Sequence, residues 1–304
     1  MPDGREESSG GMTDRRKALL LMMLSTASMS LMQLVVKLSN GVFPLWEQVF
    51  VRNFVTLIIG FVMAKQGGMP LFGHKENRIV LLLRSVLGFI GVAGYFYATS
   101  RIGLADASLL HRSSPFFVII FSVIFLAKPL LLSELIGLVL AFTGAILVIN
   151  PSFSNLNLGP SLIGLLSAAG AGGAYVAIAA LRGKEKNGTI LFFFSLVSCM
   201  LSAIFGFGTF VLPHGSEWLM LAGIGLFAAI GQLTLTQAYK MANPGEVSVI
   251  NYLGIVFSAI LGLVFFREVP GGRSIIGILC VFAAALLIYF LENSKPVYCR
   301  QKSN

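Results

Sequence analysis

Two dipeptides stand out in this chain by residue type and by spacing: His111-Arg112 and, 140 positions later, Asn251-Tyr252. Each lies inside an otherwise apolar run, Leu104–Leu126 and Pro244–Phe266. Arg112 offers five N–H donors in a rigid fork that suits a carboxylate or phosphate. His111 can hydrogen-bond a solute or take a proton near neutral pH. Asn251 and Tyr252 supply donors and acceptors of neutral type. This is the chemistry of recognition rather than of bond-making. The three histidines, His74, His111 and His214, are far apart, and Cys199, Cys280 and Cys299 form no framework. No CxxC, HExxH or clustered metal ligands occur, and the glycine clusters sit within apolar runs with no Lys-Ser/Thr after them. The expectation is a protein without catalytic residues, bound metal or cofactor, and not an enzyme. The competing reading of Arg112 is structural: it neutralises a buried acid such as Glu47 and ties helices together.

Other polar residues within the apolar runs are secondary candidates. Arg84 and Arg52 are placed near the cytoplasmic third or quarter of their segments, from which a long Arg can also snorkel to the headgroups. Gln33 and Lys37 share a face at i and i+4. Tyr95, Tyr97, Tyr175 and Gln232 can stack on or hydrogen-bond a planar ligand, or equally bond between helices or anchor them at the interface. Glu47 is expected to pair with Lys37 or Arg101. Asp106 and Glu246 open their segments, where a carboxylate suits free N–H groups and the helix dipole.

The elements that must position these groups are membrane helices. A hydrocarbon core about 30 Å thick takes roughly 20 apolar residues to cross. Ten runs of that kind fill the chain, at 18–37, 44–64, 79–99, 104–126, 133–149, 159–181, 188–211, 217–239, 244–266 and 274–291. The sequence is 56% hydrophobic and 12% charged, about half the usual charged fraction. A soluble helical core is disfavoured because polar stripes at helical spacing are missing from the runs.

With ten crossings both tails lie on one side. That side carries 15 basic residues, among them Arg15, Arg16, Lys75, Arg78, Lys184 and Arg300, against 4 on the other, Lys37, Arg101, Arg267 and Arg273. The positive-inside rule places both termini in the cytoplasm and the chain in the cell membrane. The net charge of +9 therefore follows from topology and calls for no nucleic-acid partner.

The chain also repeats. Tyr95–Ile149 aligns without a gap on Leu235–Tyr289, with identities that include Ala98/Ala238, Ser108/Ser248, Phe117/Phe257, Gly137/Gly277 and Leu147/Leu287. The expected organisation is a tail (1–17), a first five-helix repeat (18–149), a linker (150–158), a second repeat (159–291) and a second tail (292–304). An odd number of crossings per copy inverts the second copy, an arrangement that suits alternating access to a midplane site.

Arg84-Ser-Val-Leu-Gly88, Tyr95-Phe-Tyr-Ala98, Leu104-Ala-Asp-Ala107 and Ser114-Pro115 together resemble the first-repeat signature of the EamA family in the drug/metabolite transporter superfamily. Gly231-Gln-Leu-Thr-Leu-Thr-Gln-Ala-Tyr239, Asn251-Tyr252, Phe266-Arg-Glu268-Val-Pro270 and Gly277 resemble its second repeat. The resemblance covers nearly all of residues 18–291. One departure is Lys128, where first repeats of the family usually carry Glu, while Glu268 is kept. The resemblance implies an all-α membrane protein of ten helices in two inverted repeats. It also implies that spans 1, 3, 4, 6, 8 and 9 enclose the cavity, with spans 5 and 10 as outer braces. Those braces offer a homodimer surface through Gly137, Ala141 and Gly144. The second-repeat pattern is similar, too, to carriers of S-adenosylmethionine-like metabolites.

The expected function is a secondary transporter that moves a small organic metabolite across the cytoplasmic membrane by alternating access. Its cargo would be anionic, zwitterionic or planar, such as an amino-acid- or nucleoside-derived solute. Its partners would be that solute and the lipid bilayer. The alternatives are an integral-membrane enzyme on lipid-linked substrates, which would want acids or histidines clustered at one membrane face, and a non-transporting scaffold, which would want no polar pair at midplane.

Overall fold

The computed structural model describes residues 4–39, 41–102, 104–151, 158–291 and 296–298. In chain order the helices are α1 (Gly4–Leu38), α2 (Leu45–Gln66), α3 (Arg78–Ile102), α4 (Leu104–His111), α5 (Ser114–Leu126), α6 (Leu132–Ile149), α7 (Leu158–Ala180), α8 (Asn187–Phe205), α9 (Glu217–Met241), α10 (Pro244–Ile250), α11 (Leu253–Phe266) and α12 (Gly272–Phe290). Ten segments among them are long and apolar enough to cross a membrane, α4 with α5 and α10 with α11 each counting as one. Two short strands, β1 (Leu130–Leu131) and β2 (Pro296–Tyr298), pair antiparallel on the face that carries both termini.

Three expectations are corrected in detail. The first tail is helical from Gly4, continuous with span 1. Span 7 stops at Phe205 rather than at 211, because Gly206 ends the helix and Gly208 turns at φ +78°. Spans 4 and 9 are not single helices: each is broken at its polar dipeptide.

The break in span 4 has a local cause. Pro115 has no N–H, so the carbonyl of His111 loses its helical partner. Ser113 and Phe116 instead donate three residues back, to Leu110 and Ser113. Span 9 breaks one residue from the equivalent point with no proline. There Tyr252, Gly254 and Ile255 all donate to i−3 carbonyls. Both distal halves end alike as well. Ala127 after α5 and Arg267 after α11, related by the same 140-residue shift, have φ of 51° and 56°. The next residue's N–H returns six positions back, to the carbonyl of Ser122 or Gly262, so each helix end closes over seven residues.

Packing obeys the repeat. Helix α1 lies along α9 and α3 along α7, while α2 pairs with α8 and α6 with α12. Exchanging the two halves converts span 1 on span 8 into span 6 on span 3, and maps 2 on 7 and 5 on 10 onto themselves. The tertiary contacts thus carry the inverted symmetry that the odd span count requires.

Between α6 and α12 the approach is backbone to backbone. A Cβ on Gly144 would lie 2.6 Å from the Gly277 carbonyl oxygen, and one on Gly277 would lie 2.6 Å from that of Gly144. Gly137, Ala141 and Gly144 are therefore consumed inside the chain, against Ile288, Val281 and Gly277, and do not form the homodimer surface expected of them. Small residues let helices close up in lipid, and here the partner is the symmetry-related helix. Gly277→Leu is expected to cost about 1–3 kcal/mol through overpacking, read as a lower unfolding temperature in detergent. The outward sides of these helices are apolar, with Val139, Ile276 and Leu279 all exposed.

Candidate functional site

The two breaks face each other, and each is stitched by a side chain of the other. The Tyr252 hydroxyl donates to the Arg112 carbonyl at 2.6 Å. That carbonyl would bond the N–H of residue 116 in an unbroken helix, but Phe116 bonds Ser113. In return an Arg112 Nη1 donates, at a long 3.4 Å, to the Asn251 carbonyl. Tyr252 is almost fully buried, while His111, Arg112 and Asn251 are half-buried. Gly254 of α11 is approached by both the guanidinium and Thr26 of α1: a Cβ there would lie 3.5 Å from Arg112 Nη1 and 3.6 Å from the Thr26 Cβ. Ser30 extends this polar strip, donating to the Gly254 carbonyl at 3.1 Å.

No carboxylate lies within 4 Å of Arg112 among the described residues. The structural reading that pairs it with Glu47 fails. Glu47 is buried near the far end of α2 and accepts the Val211 N–H at 3.0 Å. It pairs with neither Lys37 nor Arg101. Lys37 instead bonds Glu268 at 2.6 Å, with both side chains more than half exposed, so the pair adds little stability.

The neighbours of His111 make its Nδ1 the donor. The Ser167 hydroxyl of α7 donates to the Gly164 carbonyl at 2.6 Å, so its oxygen is left to accept from His111 Nδ1 at 3.0 Å. The neutral ring then keeps its Nε2 lone pair for a solute donor or a proton. Tyr95 packs over the imidazole at 4.9 Å between centroids and shares a 3.0 Å hydrogen bond with Ser108.

Two further arginines lie within the packed helices. Arg84 is 2% exposed, sits over the Phe194 ring at 4.0 Å, and its Nε has no hydrogen-bond partner. Tyr175 stacks on Tyr239 at 4.8 Å between ring centroids. Arg52 sits seven residues from the start of α2, the end remote from the loop that joins α2 to α3. It is therefore not in the third or quarter of its helix nearest the terminal face, where it was expected. Buried Val49, Asn53 and Thr56 on the same side of α2 turn it into the bundle.

The structure thus brings His111, Arg112, Asn251, Tyr252 and Tyr95 together, while Arg84 and Tyr175 lie on α3 and α7, which pack along each other. It does not gather the rest. Tyr97 is exposed beneath Arg101, whose guanidinium is 5.7 Å from its ring. Gln33 is exposed on α1. Gln232 is buried on α9, its amide making no hydrogen bond among the described residues. The sequence reading missed Ser167, Thr26, Ser30 and Phe194. Ser108 was visible as a repeat identity with Ser248, whereas the others carry no signal until helices are paired.

The face that bears the termini is tied by buried polar groups. Glu185, in the turn after α7, accepts from the His74 N–H at 2.8 Å and from Asn77 at 2.9 Å, and meets His74 Nδ1 at 3.0 Å. Lys240, at the end of α9, donates to the Glu185 carbonyl and to Asn187. Arg15 bonds Glu246 at 2.7 Å and also caps carbonyls at the end of α12. Glu246 is therefore an ion-pair partner as well as a first-turn carboxylate of α10.

Comparison with known proteins agrees with this architecture. The model of the EamA-like transporter family matches residues 16–150 and 159–290. The pseudopaline exporter CntI of Pseudomonas aeruginosa is 34% identical over 275 residues, covering 90% of this chain and 96% of that protein. Human solute carrier family 35 member G1 is 31% identical over 227 residues, 70% of this chain and 62% of that one. A solved crystal structure matches with a TM-score of 0.75 at 19% identity, over 92% of this chain and 96% of the other, which speaks to the fold alone. Ten apolar crossings, principal helix pairs preserved by exchange of the halves and these matches lead to one conclusion: the chain is a multi-pass membrane transporter and belongs to the EamA-like transporter family.

Proposed function

We propose that this protein is a secondary carrier that moves a small organic anion or zwitterion across the cytoplasmic membrane, with His111, Arg112, Asn251 and Tyr252 at the centre of its site. The observation that carries the proposal is Arg112. It is a half-buried guanidinium at a helix break, holding one long hydrogen bond and no carboxylate. Leaving such a charge unmatched inside a membrane protein is expensive, and a carboxylate or phosphate on the cargo would match it. The free lone pair of His111 and the Asn251 amide would take the donors of a zwitterion. Tyr95 and Tyr175 provide rings for a planar part.

Alternating access would use the repeats, residues 18–149 and 159–291, as units that exchange conformations. The basic excess on the terminal face supports cytoplasmic termini. A relative named as an exporter favours outward movement. The test is uptake of a defined pool of amino-acid- and nucleotide-derived metabolites into inside-out vesicles, followed by mass spectrometry. One or more anionic or zwitterionic solutes should accumulate above vesicles lacking the protein. Accumulation of cationic solutes only would overturn the proposal, as would no accumulation at all.

A further inference from the structure

We propose that Arg84 is a second anion-binding residue, placed half-way through the bilayer to hold a carboxylate or phosphate group of the solute, with Gly88 aiming it and Phe194 covering it. This rests on the carrier reading above and adds a site separate from the Arg112 centre. The Arg84 guanidinium does not run back toward the terminal face, from which a long side chain could reach headgroups. It lies one turn further along α3, for a Cβ on Gly88 would be 2.5 Å from Arg84 Nη1. Gly88 is close to the middle of α3 (Arg78–Ile102), the depth at which carriers built from inverted repeats hold their cargo. There Arg84 is 2% exposed and makes no hydrogen bond or ion pair among the described residues. The Phe194 ring, 4.0 Å away, attracts the cation but does not replace the hydration it has lost.

The other repeat shows that the fold itself asks for no arginine here. The 140-residue shift that relates α3 to α9 sets Arg84 against Ile224 and Gly88 against Ala228, both 1% exposed. Ordinary apolar core fills the equivalent place, and alanine fits where no guanidinium passes. Glycine accompanies the arginine because a methyl at 88 would collide with it. An unmatched cation at this depth is expensive, and a ligand that matches it explains its presence. The walls differ in kind. Toward α7 the site is closed by backbone: a Cβ on Gly170 would lie 2.9 Å from the Leu87 carbonyl oxygen, and one on Gly91 3.1 Å from the Ala171 nitrogen. That seam also lies between Arg84 and Tyr95. Toward α8 the cover is the Phe194 side chain, which can swing aside with the helix in place. Ser198 shares its face of α8 one turn on, 1% exposed and with an unpartnered hydroxyl, and supplies a donor for the same oxyanion. A lipid phosphate stays at the interface, about 15 Å from this depth, so the matching group comes with a solute.

The test reads stabilisation against heat by inorganic phosphate, with chloride as control at fixed ionic strength, on the purified full chain in detergent. It is done in an Arg112→Gln background, which silences the other centre. Phosphate should still raise the unfolding temperature there. Adding Arg84→Gln should weaken apparent phosphate binding about tenfold or more, and adding Gly88→Ala, which displaces the guanidinium, should weaken it as well. Arg84→Lys keeps the charge, should retain part of the response, and serves if Arg84→Gln does not fold. Without phosphate, Arg84→Ile, the residue of the other repeat, should melt no lower than the unaltered chain. A marked fall in its unfolding temperature would make Arg84 a structural residue and overturn the inference. So would a phosphate response that Arg84→Gln leaves intact, or no response in the Arg112→Gln protein. The vesicle experiment judges the carrier reading separately: phosphate bound through Arg84 with no solute transported would sink that reading and leave the site.

Discussion

Arg112→Ala is expected to reduce transport by about 100-fold or more while leaving the unfolding temperature unchanged or slightly raised. The size follows from truncating one partner of a desolvated, hydrogen-bonded charge pair, which costs about 2–5 kcal/mol. The sign of the stability change separates this reading from the structural one. A guanidinium paired to a buried acid leaves an orphan charge when removed and destabilises by about 3–5 kcal/mol. Arg112 has no such acid, and its one side-chain bond is long. Its carbonyl, which does hold the two breaks together through Tyr252, survives the substitution. Arg112→Lys keeps the charge but not the fork, and should retain a small part of the activity. Vesicle uptake and thermal unfolding of the same three proteins decide the matter. A large loss of stability in Arg112→Ala would return the residue to a structural role.

Glu185→Ala should loosen the terminal face. The carboxylate is 3% exposed and holds a backbone N–H, an imidazole and an amide from the loop between α2 and α3. Its removal leaves the His74 N–H and Asn77 without this acceptor, at about 1–3 kcal/mol of lost stability. The loss is local, since Lys240 still bonds the Glu185 carbonyl and Asn187. Amide hydrogen exchange in residues 73–78 should therefore quicken about tenfold or more, with the α6–α12 contact unaffected. If alternating access opens this face, the variant populates the open state more and its transport cycle slows. Unaltered exchange in that loop would show that Glu185 does not hold the face closed.

Much of the architecture was open to reading from sequence. Residues 104–126 and 244–266 read as crossings, and His111-Arg112 and Asn251-Tyr252 as an equivalent pair, from apolar length and a gapless shift alone. That the pairs coincide with breaks was half visible: Pro115 announces one, whereas nothing comparable marks Asn251. The dimer surface was misread because a stripe of Gly137, Ala141 and Gly144 says that something packs closely without saying what. Glu47 was given the wrong partner for a similar reason. Its acceptor role is filled by the Val211 backbone N–H, which every residue but proline carries and which sequence therefore never flags.

Span number, charge sidedness and inversion are one-dimensional properties. They are imposed by the thickness of hydrocarbon and the placement of Lys and Arg along the chain, so the amino-acid order determines them unaided. Which cations remain without an acid is a three-dimensional property. Arg84 and Arg112 come from separate helices, and the surroundings of each depend on how the helices pack, with glycine-lined contacts that bring α3 onto α7 and α2 onto α8. Only the packed bundle decides that, because electrostatic compensation acts across a few ångströms of space and takes no account of distance along the sequence.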